Sequence, residues 1–568
     1  MSQNSPAAAS AEASPAPDDA AAARQGSAGY RIPGWLVFVI PALAELVIGG
    51  YKLGGPSLWR DEGYTINSSQ RSVGQILTLT WHQDAVHGLY YLIMHFVIGA
   101  FGTSEVVLRL PSLLGMCVTA AVTAALGKRL ARAGGLPAPA VTGIVAGVLM
   151  AAVPLTTYYA EDARPYGLVS MFALIATYAL VRGAAQGRWT WWALYFAAIV
   201  LAVTLDLFTL LLVAAHGVSL VYARLRAPGA GPPDQSGGSG GPLPGPLRGL
   251  PGATRLGWPL AQWLAASAAA VAALSPVLYL GYRQAGTLSW IRVPDLAAVT
   301  GLMRDLAGAT PLEPLVAVLA ICGAAANLGS RRSGRTLPVV PGGLVPGGLT
   351  LPVVALPWLL LPPLLLLAVS EVHAVYTERY VLYCFPALSV LTAAGLSSIA
   401  RLAGHMSFGR RSRVLAVLPS AVLATVLAAF LVGPQAGVRI TTNRTDDLRS
   451  VTAIVAAHER PGDEVFYLPQ TTRVVGMAYP APFRRLRDVA LGQSPARSAT
   501  LLGVEVSASA LARRLAGVRR IWTVNWQNTL TPLTADRLAA REQAQVSQMH
   551  LVQQWYVMSV VLSLYATR

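Results

Sequence analysis

Residues 34–65 read GWLVFVIPALAELVIGGYKLGGPSLWRDEGYT. The first part, 34–52, is an apolar run of the length that crosses a bilayer as a helix. The second part ends in Leu58-Trp59-Arg60-Asp61-Glu62-Gly63-Tyr64-Thr65, where two adjacent carboxylates stand beside Trp and Arg. Ionisable groups at a membrane edge are costly unless they are solvated or used. A span that opens directly onto such a cluster predicts a membrane protein with chemistry at one face.

The rest of the chain agrees with the first half of that reading. Of 568 residues, 54% are apolar and only 12% are Asp, Glu, Lys or Arg, against about 25% charged in soluble domains. The mean hydropathy is +0.51. Further apolar runs fall near 105–126, 138–155, 167–182, 190–205, 207–223, 258–280, 311–328, 349–370, 381–400 and 414–433. The expected fold class is therefore a polytopic α-helical membrane protein with about 11 transmembrane helices. The stretch 87–101 is also apolar but short for a span, and suits an interfacial or re-entrant segment.

Charge sets an expected orientation. With the N-terminus inside, the inner loops and tail hold 18 basic residues and the outer side of the membrane region nine. This is the bias of the positive-inside rule. If 87–101 were a full span, the basic loops that follow would face outward. Acids partition the other way: twelve lie outside, from Asp61 to Glu378, and the inner loops after the first span hold only Asp234. Insertion does not demand that, so the outer face is where a site is expected. The net charge of +17 then orients the spans, and no nucleic-acid partner is expected, because no basic stretch interleaved with aromatics stands outside the membrane.

The expected domains are a disordered cytoplasmic tail (1–33), a transmembrane catalytic domain (34–433), and an extracytoplasmic α/β domain (434–568). The transmembrane domain includes a first outer loop (53–104) and a flexible Gly/Pro-rich cytoplasmic linker (224–257). In the last domain, helix-like runs 447–458, 508–516 and 534–548 alternate with strand-like runs 464–468, 520–524 and 555–561. Cys117, Cys322 and Cys384 lie far apart in apolar runs, which suits buried thiols and gives neither a disulfide framework nor a metal spacing.

Four motifs carry candidate chemistry. The first is 58–65, where one carboxylate could act as general base; a solvated salt bridge with Arg60 is the plain alternative. The second is Tyr158-Tyr159-Ala160-Glu161-Asp162-Ala163-Arg164-Pro165-Tyr166. An interfacial aromatic belt explains its tyrosines but explains Glu161, Asp162 and Arg164 less well. The third is His87-Gly88-Leu89-Tyr90-Tyr91, followed by Arg109-Leu110-Pro111-Ser112. The fourth is Tyr376-Thr377-Glu378-Arg379-Tyr380, whose Arg could bind phosphate as a bidentate donor or could simply snorkel at the membrane edge.

In this order the four motifs resemble those of the GT-C superfamily of membrane glycosyltransferases. The closer resemblance is to glycosyltransferase family 39, the protein O-mannosyltransferases and aminoarabinose lipid A transferases. It covers roughly residues 34–400. The resemblance implies an inverting enzyme that moves a sugar, by default mannose, from a polyprenyl-phosphate carrier to a protein, lipid or glycan acceptor at the outer face. By the same resemblance Asp61 is the general base with Glu62 at its side. Arg60, Tyr64, His87, Glu161, Asp162, Arg164, Tyr166 and Arg379 are the substrate-binding candidates, with Arg379 on the carrier phosphate. The sequence departs from relatives at His87-Gly88, where His-Pro-Pro is common. The carboxylates could accommodate a divalent cation, and nothing requires one. The Arg- and Ala-rich, Lys-poor usage suits a bacterium, so the expected location is a bacterial plasma membrane.

Two other classes fit the composition. A transporter or lipid flippase would hold ionisable groups near the midplane, often in repeated halves; here the acids fall at span ends, Glu45 excepted, and no repeat is visible. A non-catalytic envelope assembly protein would use the outer domain for binding.

Overall fold

The structure, a computed structural model, describes residues 32–136, 138–226, 257–308, 310–329, 349–406, 412–527 and 549–567. Almost all of the expected tail and linker, and the expected helix 534–548, lie outside these residues.

Every expected apolar run falls on a helix. They are α1 (Leu36–Gly50), α5 (Glu105–Ala133), α6 (Pro139–Ala152) with α7 (Pro154–Ala160), α8 (Tyr166–Gln186), α9 (Trp189–Leu205), α10 (Leu211–Leu225), α11 (Gly257–Arg283), α13 (Glu313–Gly329), α14 (Leu351–Ser370), α15 (Phe385–Met406) and α16 (Ser412–Val438). Among the described residues six helices are long and apolar enough to cross a membrane, or seven if the bent pair α6–α7 is one span. Several others, such as α1 and α9, are apolar but shorter. The protein is an integral membrane protein by this measure.

Between α1 and α5 the chain forms three short helices, α2 (Arg60–Ser69), α3 (Val73–His82) and α4 (Gly88–Phe101). The expected short segment is thus a helix of 14 residues after a 3-10 turn, Ala85–His87. Between α11 and α13 lies α12 (Leu296–Ala307), capped by the Asp295 side chain. The spans pack through small residues, as membrane helices do when lipid supplies no hydrophobic drive. At the α5–α8 crossing a Cβ on Gly167 would stand 2.6 Å from the Ser112 carbonyl oxygen, so only glycine allows that approach.

The C-terminal region is an α/β domain. Helix α17 (Leu448–His458) leads to β1 (Glu464–Leu468), then α18 (Val474–Ala478), β2 (Arg487–Asp488), β3 (Leu491–Gln493), β4 (Val504–Glu505), α19 (Ala508–Leu515), β5 (Arg520–Trp526), β6 (His550–Val557) and β7 (Val560–Ala566). The main sheet runs β2-β1-β5-β7-β6, with β2, β1 and β5 parallel and β7 and β6 antiparallel. The run 555–561 is not one strand, because Met558 and Ser559 turn the chain between β6 and β7, with Met558 at φ 49°. A two-residue hairpin needs such left-handed backbone, and the apolar sequence hides it.

This domain sits on the first loop. Tyr479 Oη accepts the Leu58 N–H at 3.0 Å, Arg71 donates to the Thr500 carbonyl at 2.7 Å, and Arg449 donates to Glu105 at 2.9 Å. A Cβ on Gly63 would lie 2.6 Å from Val474 Cγ2, so α2 lies flush against α18.

Candidate active site

Helix α2 begins immediately before the acid pair. The Trp59 N–H donates to Glu62 Oε2 at 3.2 Å, and the Arg60 N–H donates to Asp446 Oδ2 at 3.0 Å. Carboxylates are favoured in a first turn, where backbone N–H groups and the helix dipole present positive charge. Neighbours on a helix point roughly 100° apart, so Asp61 and Glu62 face different surroundings.

Glu62 faces the protein body. Its carboxylate takes both Nε and Nη2 of Arg109 at 3.0 Å and the Ala163 N–H at 2.9 Å. Both side chains of this pair are fully buried. Arg109 also donates to the carbonyls of Leu53, Pro56 and Ser57, so one guanidinium folds the start of the loop. Every charge here is paired, which is what burial demands.

Asp61 faces a different group. Its Oδ2 receives Arg379 Nη1 at 3.3 Å, and the two side chains keep 19% and 15% of their exposure. The Arg379 guanidinium lies 5.3 Å from the Trp290 ring, 5.7 Å from Tyr380 and 5.9 Å from Tyr166. This is an aromatic cage for a cation. Its Nε is buried with no hydrogen-bond partner among the described residues, leaving a donor to spare. Tyr64, beside Asp61, has its hydroxyl pushed up to about 12 by burial and then by the Asp61 charge.

A second chain of contacts approaches Asp61 from the loop before α4. Arg164 Nη2 donates to His87 Nε2 at 2.7 Å, and His87 Nδ1 lies 2.5 Å from Asp84 Oδ1. An Arg has no acceptor, so Nε2 must accept and Nδ1 carries the proton toward Asp84. The Tyr91 hydroxyl donates to the other Asp84 oxygen. Burial opposes ionisation of Asp84, but His87 beside it and the bonds from His87 and Tyr91 hold its carboxyl down at about 2. Burial opposes the charge of Arg164 as well, and Asp61 is the largest charge that sustains it.

Glu161 and Asp162 sit beneath α2. Glu161 accepts from Arg444 Nη2 at 3.1 Å and lies 3.8 Å from Arg439 Nε. Asp162 Oδ1 accepts the Trp59 indole N–H at 3.1 Å, and its Oδ2 is buried without a partner among the described residues. Burial pushes both carboxyls up to about 7; for Asp162 the Glu62 charge adds to this, and for Glu161 the arginines oppose it.

Two cavities lie near the Asp61–Arg379 pair: Arg379 lines the larger, and Tyr166 and Tyr380 of its cage line the smaller. The larger, about 680 Å³, is lined by Arg379 and Glu378, by Trp59, Tyr158 and Tyr159, and by Arg304 and Asp305. The smaller, about 80 Å³, is lined by His87, Asp84 and Asp206, by Tyr166 and Tyr380, and by apolar Val86, Leu205, Leu207 and Phe208. Among the described residues no group of three or more His, Cys, Asp or Glu is placed to hold a metal ion.

The structure therefore gathers Asp61, Tyr64, His87, Arg164, Tyr166 and Arg379 around one point. Glu62 is turned away and engaged by Arg109. Arg60 is also turned away: it donates to Asp446 at 2.9 and 2.7 Å and lies 4.1 Å from the Trp526 ring. Glu161 and Asp162 lie close by but are engaged with Arg444 and Trp59. The sequence reading missed the importance of Asp84, Asp446 and Trp290. Asp84 had a usable signal, three residues before His87; Asp446 and Trp290 had none, because only the tertiary fold brings them in.

Multi-span helices, an acid-bearing helix after the first of them and an α/β domain seated on that helix form a fold shared with solved membrane proteins. Among solved structures the chain is similar to ArnT from Cupriavidus metallidurans in the apo state, with 15% identity, a TM-score of 0.56, and 94% of this chain and 98% of that one covered. It is similar to the same protein bound to undecaprenyl phosphate, with 13% identity, a TM-score of 0.53 and the same coverage. No family model and no curated protein sequence matches the chain.

Proposed function

We propose that the protein is an inverting membrane glycosyltransferase that moves a sugar, mannose by default, from a polyprenyl-phosphate carrier to an acceptor hydroxyl at the extracytoplasmic face. The N-terminus is then cytoplasmic, and residues 434–568 are extracytoplasmic. One observation carries the reading. Asp61 is a partly exposed carboxylate held 3.3 Å from a caged Arg379 that lines the larger cavity, while its neighbour Glu62 is wholly engaged elsewhere.

In this reading the acceptor oxygen attacks the anomeric carbon of the sugar. The bond from that carbon to the phosphate oxygen breaks with its electron pair leaving on phosphate, and Asp61 takes the acceptor proton. Attack opposite to departure inverts the centre. Arg379, whose Nε has no partner among the described residues, and Arg164 behind it supply fixed positive charge where the phosphate gains negative charge. Glu62, through Arg109 and the Ala163 N–H, holds α2 in place and so positions Asp61. Support for a lipid-linked donor comes from the apolar wall of the smaller cavity and from the likeness in fold to a protein solved with undecaprenyl phosphate.

The test is to incubate the purified protein with a panel of radiolabelled polyprenyl-phosphate sugars and membrane extract, and to identify the labelled product. Transfer from at least one donor is expected, and no transfer from any would remove the proposal.

A further inference from the structure

The larger cavity has walls of unusual chemistry for a membrane-edge cleft. Trp59, Tyr158 and Tyr159 give it aromatic surface, and the Tyr158 and Tyr159 rings meet edge to face at 5.1 Å. Asp305 and Glu378 give it carboxylates, both exposed and neither with a hydrogen bond or ion pair to the described residues. The two carboxylates feel each other: burial and then Glu378 raise the Asp305 carboxyl, against Arg304. Tyr159, only 4% exposed, also lines the cavity, and its hydroxyl makes no hydrogen bond to the described residues.

A ligand for these walls needs apolar faces to lie on rings and donors to give to carboxylates and a phenol. Carboxylates are acceptors only. An acyl chain could lie on Leu155, Pro311, Pro434 and Val438 but would offer the carboxylates nothing. A polypeptide would bring backbone donors and acceptors that find no strand edge in this lining. A sugar ring has both features at once, C–H faces and hydroxyl donors. The volume of about 680 Å³ lies within the range of small-ligand sites.

We infer that this cavity is the acceptor subsite and that the acceptor is a carbohydrate chain, its terminal sugar stacked on Trp59, Tyr158 and Tyr159 with hydroxyls on Asp305, Glu378 and Tyr159. The inference rests on the glycosyltransferase reading for the word acceptor, but the binding it describes stands without turnover. Arg379 lines this cavity and pairs with Asp61, so one guanidinium connects the cavity to the proposed base. Thr445 lines it too, next to Asp446, so the link into the C-terminal domain helps shape the acceptor site.

The experiment is calorimetric titration of full-length Asp61→Asn protein in nanodiscs with short neutral oligosaccharides of mannose, arabinose and galactose, and with a Ser/Thr-rich peptide. At least one oligosaccharide is expected to bind saturably and the peptide not. The double variant Asp305→Asn, Glu378→Gln should weaken that binding about tenfold or more, the loss of charge-assisted hydrogen bonds. Tyr159→Phe, which deletes only an unpartnered hydroxyl, should weaken it about threefold to tenfold. Peptide binding without oligosaccharide binding, no binding of any probe, or affinities unmoved by both variants would overturn the inference. Oligosaccharide binding with these dependences, in a protein whose wild type transfers no sugar from any carrier, would instead overturn the catalytic reading and leave the glycan site.

Discussion

Asp446, in the link between the last span and the C-terminal domain, accepts both the backbone N–H and the guanidinium of Arg60, 386 residues earlier in the chain. It also accepts the Ser559 hydroxyl from the β6–β7 turn. A carboxylate from the C-terminal region therefore caps the helix that carries Asp61. Replacing Asp446 with Asn keeps the size and removes the charge. The expected result is a fall in kcat of about tenfold to a hundredfold with the donor KM within about twofold, the effect of a slightly misplaced base. Arg60→Lys should not preserve the contact, because a point charge cannot make the two parallel bonds. Steady-state kinetics checks both.

Acid should loosen the same latch. Burial opposes ionisation of Asp446, but Arg60 and Ser559 hold its carboxyl below the usual value. A carboxyl depressed on folding adds stability above its unfolded pKa, and that stability is lost as pH falls through the folded value. The expected observation is protection of α2 from proteolysis at neutral pH that declines below about pH 4. In Asp446→Asn the decline should be shallower.

Asp162 predicts the opposite slope. Its carboxyl is pushed up to about 7, so the folded state holds a proton that the unfolded chain releases near pH 4. Stability is then full below about pH 4 and falls as pH rises toward 7. Asp162→Asn keeps an acceptor for the Trp59 indole and cannot ionise. Its melting temperature should exceed that of the wild type at pH 8, with the gap closing at pH 5.

Glu62 and Arg109 form a buried pair with further bonds to Ala163, Leu53, Pro56 and Ser57. Removing one partner strands the other charge, at about 3–5 kcal/mol. Glu62→Ala and Arg109→Ala should each lower thermal stability or abolish membrane expression. The double variant should lose much less than the sum, which a thermal-shift double-mutant cycle would read.

Arg379→Ala should lower kcat/KM by about a hundredfold to a thousandfold, the effect of removing a donor aimed at developing charge. Arg379→Lys should recover only part, since its cage of Tyr166, Trp290 and Tyr380 and its spare Nε suit a planar guanidinium.

The helices were legible because bilayer length leaves a plain mark on sequence, and α5, α8 and α11 carry it. The candidate cluster was legible where polar residues gather in short motifs, as at Asp61, His87, Arg164 and Arg379. What adjacency hid was division of labour. Asp61 and Glu62 are neighbours in sequence, yet one helical step sends Glu62 into Arg109 and Asp61 toward Arg379. Arg60 was read as a site residue because its partner, Asp446, is distant in sequence. Glu161 and Asp162 read as substrate ligands because Arg444 and Trp59 could not be seen to engage them. The hairpin at Met558 was invisible because a left-handed methionine leaves no turn signature.

The central claim is that Asp61 removes the acceptor proton. Its most direct test compares wild type and Asp61→Asn in single-turnover transfer from a labelled polyprenyl-phosphate sugar, with monodispersity and carrier binding measured on the same samples. Asp61→Asn is expected to stay folded, bind the carrier and form product at least about a hundredfold more slowly. Product formation at the wild-type rate in Asp61→Asn would contradict the claim.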